Sequence, residues 1–141
     1  MNLFGNKNSS KTKKFLIFLV EDNAIYLRQL EHLIQSKFGE KAEVECMPVA
    51  EVAEIKIQNG DIPDLLIMDH YLNDRYEDAE EGFDVLKRLK KEYPSIEFIL
   101  HSSQQSIELA LSIAKEGICT YIAKGDDGFN KIEAEIKKLI K

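Results

Sequence analysis

Apolar residues fall along this chain in short compact runs separated by longer stretches of helical spacing. The runs are Phe15 to Val20, Leu65 to Met68, Ile96 to Leu100 and Thr120 to Ala123. Leu65-Leu-Ile-Met68 is unbroken and stops on an acid, Asp69. Four consecutive apolar residues describe a strand covered on both faces, as in a parallel sheet with helices on each side. Ala42 to Cys46 alternates instead, as a half-exposed edge strand does.

Between these runs the period changes. Leu27, Leu30, Ile34 and Phe38 recur at i, i+3, i+7 and i+11, one face of a helix. Asp22 or Asn23 can cap it, and Gly39 stops it. A second helix spans about Ala50 to Asn59 and ends at Gly60. A third starts at Gly82 with Phe83, Leu86 and Leu89 inward, and Pro94 closes it. A fourth carries Ile107, Ala110, Leu111 and Ala114 on its expected inner face and ends at Gly117. The last places Ile132, Ile136, Leu139 and Ile140 together. Five strands alternating with five helices predict an α/β fold: a parallel sheet, right-handed crossovers and helices on both faces. No internal repeat interrupts it.

A length of 141 residues suits one domain. Residues 1–13 are polar and aperiodic and are read as a flexible basic tail, leaving residues 14–141 as the domain. The net charge of −6 is unevenly spread. Four of the 19 basic residues lie in the first 14 positions, where no acid occurs, so the remainder sets 15 lysines and arginines against 25 acids. An acidic body argues against nucleic acid as the partner. After Lys124 only 17 residues remain, enough for one helix and too few for a DNA-binding module. No apolar run approaches the roughly 20 residues of a membrane helix, and the early run at Phe15 leads into acids rather than a cleavage site. The expected location is the cytoplasm. Cys46 and Cys119 form no CxxC and are read as plain thiols.

Polar residues stand where the strands end. Glu21 and Asp22 follow the first, Asp69 the third, Ser102 the fourth and Lys124 the fifth. In open α/β sheets ligands bind at this carboxyl rim. Two like charges about 4 Å apart cost roughly 4 kcal/mol at an effective dielectric near 20. Three crowded carboxylates therefore invite a hard cation with oxygen ligands, and Mg²⁺ fits. Lys124 offers positive charge and Ser102 a hydroxyl donor to phosphate oxygens. A carboxylate nucleophile, a metal, an ammonium and a hydroxyl together describe formation of an aspartyl phosphate on Asp69. Singly, each has a plainer reading as a cap, a helix start or a solvated surface charge. The information lies in their order.

That ordered set resembles the receiver domain of bacterial two-component response regulators. The matching pieces are Leu19-Val-Glu-Asp22, Leu65-Leu-Ile-Met-Asp69, Gly82-Phe-Asp-Val-Leu86, Ile99-Leu-His-Ser102 and Tyr121-Ile-Ala-Lys124. The resemblance implies a flavodoxin-like, doubly wound five-stranded sheet in the order 2-1-3-4-5, an order for which a chemotaxis receiver is a standard illustration. It implies that Asp69 is the phosphoacceptor and that Glu21, Asp22, Asp69 and the Tyr71 backbone carbonyl hold Mg²⁺. Lys124 pairs with the acceptor or its phosphate. Ser102 and Tyr121 form the switch pair, and Tyr71 and Gln104 tune the phosphate lifetime. The donor is a phosphohistidine on a sensor histidine kinase or a histidine phosphotransfer protein. The chain is then a stand-alone signalling module rather than an enzyme. It signals to a protein target through the face of the fourth helix, fifth strand and fifth helix.

Three departures stand out. Gly125 occupies the place where the family usually has proline. The loop between Asp69 and Gly82 is long and holds five acids, Asp74, Glu77, Asp78, Glu80 and Glu81. Ser102 replaces the commoner threonine. Two histidines, His70 and His101, flank the site and are expected to be partly exposed loop residues. A degenerate receiver that binds partners without phosphorylation is one rival, supported by Gly125. An aspartyl-phosphate phosphohydrolase is another, but that class places a second aspartate two residues after the nucleophile, where this chain has Tyr71.

Overall fold

The computed structural model of the chain describes residues 13–70, 82–102 and 107–140, with backbone alone at 107–110. The strands are β1 (Phe15–Val20), β2 (Ala42–Met47), β3 (Leu65–Met68), β4 (Glu97–Ser102) and β5 (Thr120–Ala123). The helices are α1 (Ala24–Phe38), α2 (Ala50–Gln58), α3 (Gly82–Glu92), α4 (Ile107–Glu116) and α5 (Gly128–Leu139). The sheet has five parallel strands in the order β2-β1-β3-β4-β5. This is the flavodoxin-like receiver fold that the resemblance implied.

Strand alternation divides the core in two. Phe18, Val20, Leu66, Met68, Phe98 and Leu100 face α2, α3 and α4. Ile17, Leu19, Leu65, Ile67, Ile99 and Ile122 face α1 and α5. Leu65 to Met68 are all buried, as a central strand with helices on both sides requires. Asp64 sets the start of the register: its backbone N–H donates to Leu16 O at 2.8 Å, and its carboxylate accepts from Leu16 N–H at 2.8 Å. Asn23 rather than Asp22 caps α1, its side chain accepting from Tyr26 N–H at 3.0 Å. Leu27, Leu30, Ile34 and Phe38 are all buried, as their spacing predicts.

Two expectations need correction. The inner face of α4 is not the one that contains Leu111 and Ala114. Both are exposed, and among the described side chains of α4 Ile113 is the one in the core. The helix is apolar on several sides, so its apolar pattern by itself does not define which way it faces. Second, β4 continues past Leu100, because β5 is long enough for Ile122 and Ala123 to pair with His101 and Ser102. That extension turns His101 from a loop residue into a strand residue on the core side. The tail before Lys13, the acidic loop with Tyr71, and Gln104 lie outside the described residues.

Both cysteines are free and half-buried. Burial pushes each thiol up to about 11, so neither carries an appreciable thiolate at neutral pH.

Candidate functional site

The strand register places the site. Val20 pairs with Met68, so Glu21 and Asp69 leave their strands side by side. Met68 pairs with Leu100 and Ser102 with Ala123, which brings His101, Ser102 and Lys124 to the same rim. Alternation puts Glu21, Asp69 and His101 on the α1/α5 side, since Leu19, Ile67 and Ile99 face that way.

Glu21 and Asp69 are buried, 5% and 7% exposed, whereas Asp22 is more open. One carboxylate oxygen from each of the three lies within 4.8 Å of the others. The donor set is all oxygen and all anionic. Opposed ligands of an octahedral Mg²⁺ stand about 4.2 Å apart, so oxygens gathered within 4.8 Å need only a small contraction to share one such cation. Lys124 lies among them. Its Nζ donates to Glu21 Oε1 at 2.7 Å and to Asp69 Oδ2 at 3.0 Å. Burial would lower the Lys124 ammonium, but the Glu21 hydrogen bond and the Asp69 charge outweigh it and hold it above its usual value. Burial raises the Glu21 carboxyl, and the Lys124 and Asn23 donors offset only part of that. Gly125 does not prevent this geometry: Lys124 reaches both acids with glycine following it, and its backbone N–H donates to Ser102 O at 2.8 Å. Ser102 is fully buried. Tyr121 is half-buried on β5, level with Leu100, against the core on the α2–α4 side.

The expectation of partly exposed histidines fails: His70 and His101 are 5% and 2% exposed. His70 ties β3 to α3. Its carbonyl accepts from Gly82 N–H at 2.7 Å and its Nδ1 accepts from Phe83 N–H at 3.2 Å. His101 Nδ1 lies 2.8 Å from Ile122 O. A carbonyl only accepts, so Nδ1 carries the proton. Burial, with Lys124 nearby, holds the imidazole below its usual value and hence neutral. Its Nε2 is then an acceptor, and the Tyr26 hydroxyl donates to it. Tyr26 is a site residue that the sequence reading did not single out. The signal was present: Tyr26 stands four residues before Leu30 and eight before Ile34, on the buried stripe of α1. Burial, with Glu21 and Asp69 nearby, pushes its phenol up to about 12, so it stays a donor.

The sequence matches the response regulator receiver domain over residues 17–137. The chain belongs to this family. Receiver domains serve phosphorylation-dependent signalling, interact with histidine kinases or phosphotransfer proteins, typically bind Mg²⁺ and are generally non-enzymatic modules. Solved receivers share the fold. A CheY-like response regulator receiver domain protein from Methanospirillum hungatei JF-1 is 24% identical, with a TM-score of 0.74 over 90% of this chain and 94% of that one. The signal receiver domain of an HD domain-containing protein from Pseudomonas fluorescens Pf-5 is 21% identical, with a TM-score of 0.73 over 90% and 94%. That of a putative Luxo repressor protein from Vibrio parahaemolyticus is 18% identical, with a TM-score of 0.74 over 90% of each chain. No curated protein matches the sequence. Among the described residues of this receiver domain, no helix is long and apolar enough to cross a membrane.

Proposed function

We propose that this receiver domain accepts a phosphoryl group on Asp69 from a phosphohistidine and signals by protein contact. The observation that carries the reading is Lys124 held between Glu21 and Asp69 beside three converging carboxylates. An Asp69 carboxylate oxygen forms a bond to phosphorus as the donor's P–N bond breaks. The electron pair of that bond returns to the imidazole nitrogen, which takes a proton from solvent. Lys124 meets charge on the phosphoryl oxygens, and the Ser102 hydroxyl donates to another of them. Glu21, Asp22, Asp69 and the Tyr71 carbonyl are the residues that would hold Mg²⁺, which when bound neutralises charge on the transferring group.

Ser102 and Tyr121 act as the switch pair, and Tyr71 and Gln104 set the phosphate lifetime. The donor is a sensor histidine kinase or a histidine phosphotransfer protein in the cytoplasm. The α4-β5-α5 face meets the target, and Leu111, 65% exposed on α4, is an apolar residue a partner would cover. A full swing of population needs about 5.5 kcal/mol of differential stabilisation from the phosphate.

Intact-mass spectrometry after incubation with acetyl phosphate and Mg²⁺ tests the reading. One phosphoryl adduct is expected on the wild type, none on Asp69→Asn, and none with EDTA. An adduct that persists on Asp69→Asn, or no adduct at any Mg²⁺ concentration, would overturn it.

A further inference from the structure

Lys124 is a long side chain at the mouth of a turn. Gly125 follows it, so no proline ring stiffens that turn. What borders the ammonium on α1 is the Tyr26 ring, whose centroid lies 4.5 Å from Nζ. That ring is itself fixed from two sides. Phe129 of α5 packs against it at 5.3 Å between centroids, tilted by 59°. His101 of β4 packs at 5.5 Å and accepts a hydrogen bond from its hydroxyl. His101 in turn is anchored to β5 through Nδ1–H and Ile122 O, two residues before Lys124. The start of α5 closes over the imidazole: a methyl group at Gly128 would come within 3.2 Å of His101 Cε1. The links thus run Ile122, His101, Tyr26, Lys124, and join β5, β4 and α1 around one ammonium.

We propose that Tyr26 and His101 are a positioning pair for Lys124, holding its ammonium against Glu21 and Asp69 in place of a rigid turn. Its consequence for phosphoryl transfer rests on the reading of Asp69 as phosphoacceptor; the placement of Lys124 does not. The chemistry favours it. A ring face attracts a cation, and more strongly away from water. A neutral imidazole with one nitrogen donating and the other accepting is a rigid bridge between a strand carbonyl and a phenol. Both groups act on Lys124, and their role is positioning rather than catalytic.

Four variants separate the parts. Tyr26→Phe keeps the ring and removes the tether. His101→Val removes the same tether from the other side. His101→Gln can restore it without an ionisable ring, its amide N–H donating to Ile122 O and its carbonyl accepting from Tyr26. Tyr26→Leu removes ring and tether. Loss of one hydrogen bond corresponds to a rate factor of about 5, and loss of placement by about 1 Å to as much as about 100-fold. Phosphoryl uptake from acetyl phosphate is expected to fall about 5-fold in Tyr26→Phe and in His101→Val, no further in the double variant, and 10-fold or more in Tyr26→Leu. His101→Gln is expected to recover most of the wild-type rate.

The ¹⁵N–¹H signal of the Lys124 ammonium gives a readout that needs no phosphorylation. It is expected to be protected from solvent exchange in the wild type and in His101→Gln, and lost in Tyr26→Leu. If the Lys124 signal and the rate are the same in Tyr26→Leu as in the wild type, or the two tether losses simply add, the inference fails. If Lys124 responds as expected but Asp69 gains no phosphoryl group, the phosphoacceptor reading fails and the positioning inference stands.

Discussion

Gly82 offers the sharpest test of how the backbone supports the site. A Cβ there would lie 2.4 Å from the Asp69 carbonyl oxygen, 2.8 Å from His70 Cα and 3.1 Å from Asp69 C. All three are backbone atoms at the end of β3, so no flexible side chain can swing aside. To restore an ordinary contact of 3.4 Å, the Asp69 carbonyl has to retreat by about 1 Å. That movement also stretches the Gly82 N–H to His70 O bond of 2.7 Å and the Phe83 N–H to His70 Nδ1 bond of 3.2 Å. Overpacking of this kind costs about 1–3 kcal/mol. Judged only as a helix residue, alanine would instead gain up to about 1 kcal/mol over glycine. The two effects have opposite signs, and the backbone clash is the larger. Gly82 is the first residue of α3, where little of the helix gain applies, so Gly82→Ala is expected to lower Tm by about 3–10 °C. It is expected to slow phosphoryl uptake 10- to 100-fold, on the order of what a displacement of about 1 Å costs. Thermal unfolding by circular dichroism and timed intact-mass spectra measure both. Gly60→Ala is the control. Its φ of 101° makes alanine strained, costing about 1 kcal/mol, but nothing lies within 4 Å and the site is remote. Phosphorylation of that variant is expected to match the wild type. A Gly82→Ala protein with unchanged or higher Tm and a wild-type rate would refute the reasoning.

Two further outcomes follow from the electrostatics. If Glu21, Asp22 and Asp69 bind Mg²⁺ only in the folded state, Tm rises with Mg²⁺, the gain reaching about 2.7 kcal/mol at 100 times the dissociation constant; thermal shift with wild type and Asp22→Ala checks this, and equal shifts in the two would remove Asp22 from the site. His101 is held below its usual value of 6.5 by burial and by Lys124, so the unfolded chain binds the extra proton first; its contribution to stability is full above pH 6.5 and is lost as pH falls toward the folded value, at no more than about 1.4 kcal/mol per pH unit. Urea unfolding of wild type and His101→Gln between pH 5 and 8 is expected to show a shallower acid slope in the variant, and identical slopes would show that His101 does not carry the effect.

Periodicity and strand-end chemistry made much of this protein legible from the chain alone. The stripe Leu27, Leu30, Ile34 and Phe38, the buried run Leu65 to Met68 and the alternation of elements all depend on spacing along the backbone, and spacing is local information. The same holds for the rim: a strand's last residue is known once the strand is, so Glu21, Asp69 and Lys124 could be assigned to one edge before their contacts were known. The fate of His101 was not local. It depended on how far β5 pairs with β4, and that pairing turned an expected loop residue into a buried, neutral hydrogen-bond bridge. Leu111 and Ala114, expected inward, are exposed for a related reason: α4 is apolar on several sides, and the sheet beneath it decides which side is inward. Tyr26 lay on a readable stripe, but its role needed three partners, His101, Lys124 and Phe129, which are 75 to 103 residues away. Spacing determines which residues share a face; only the packing of distant elements determines what that face meets.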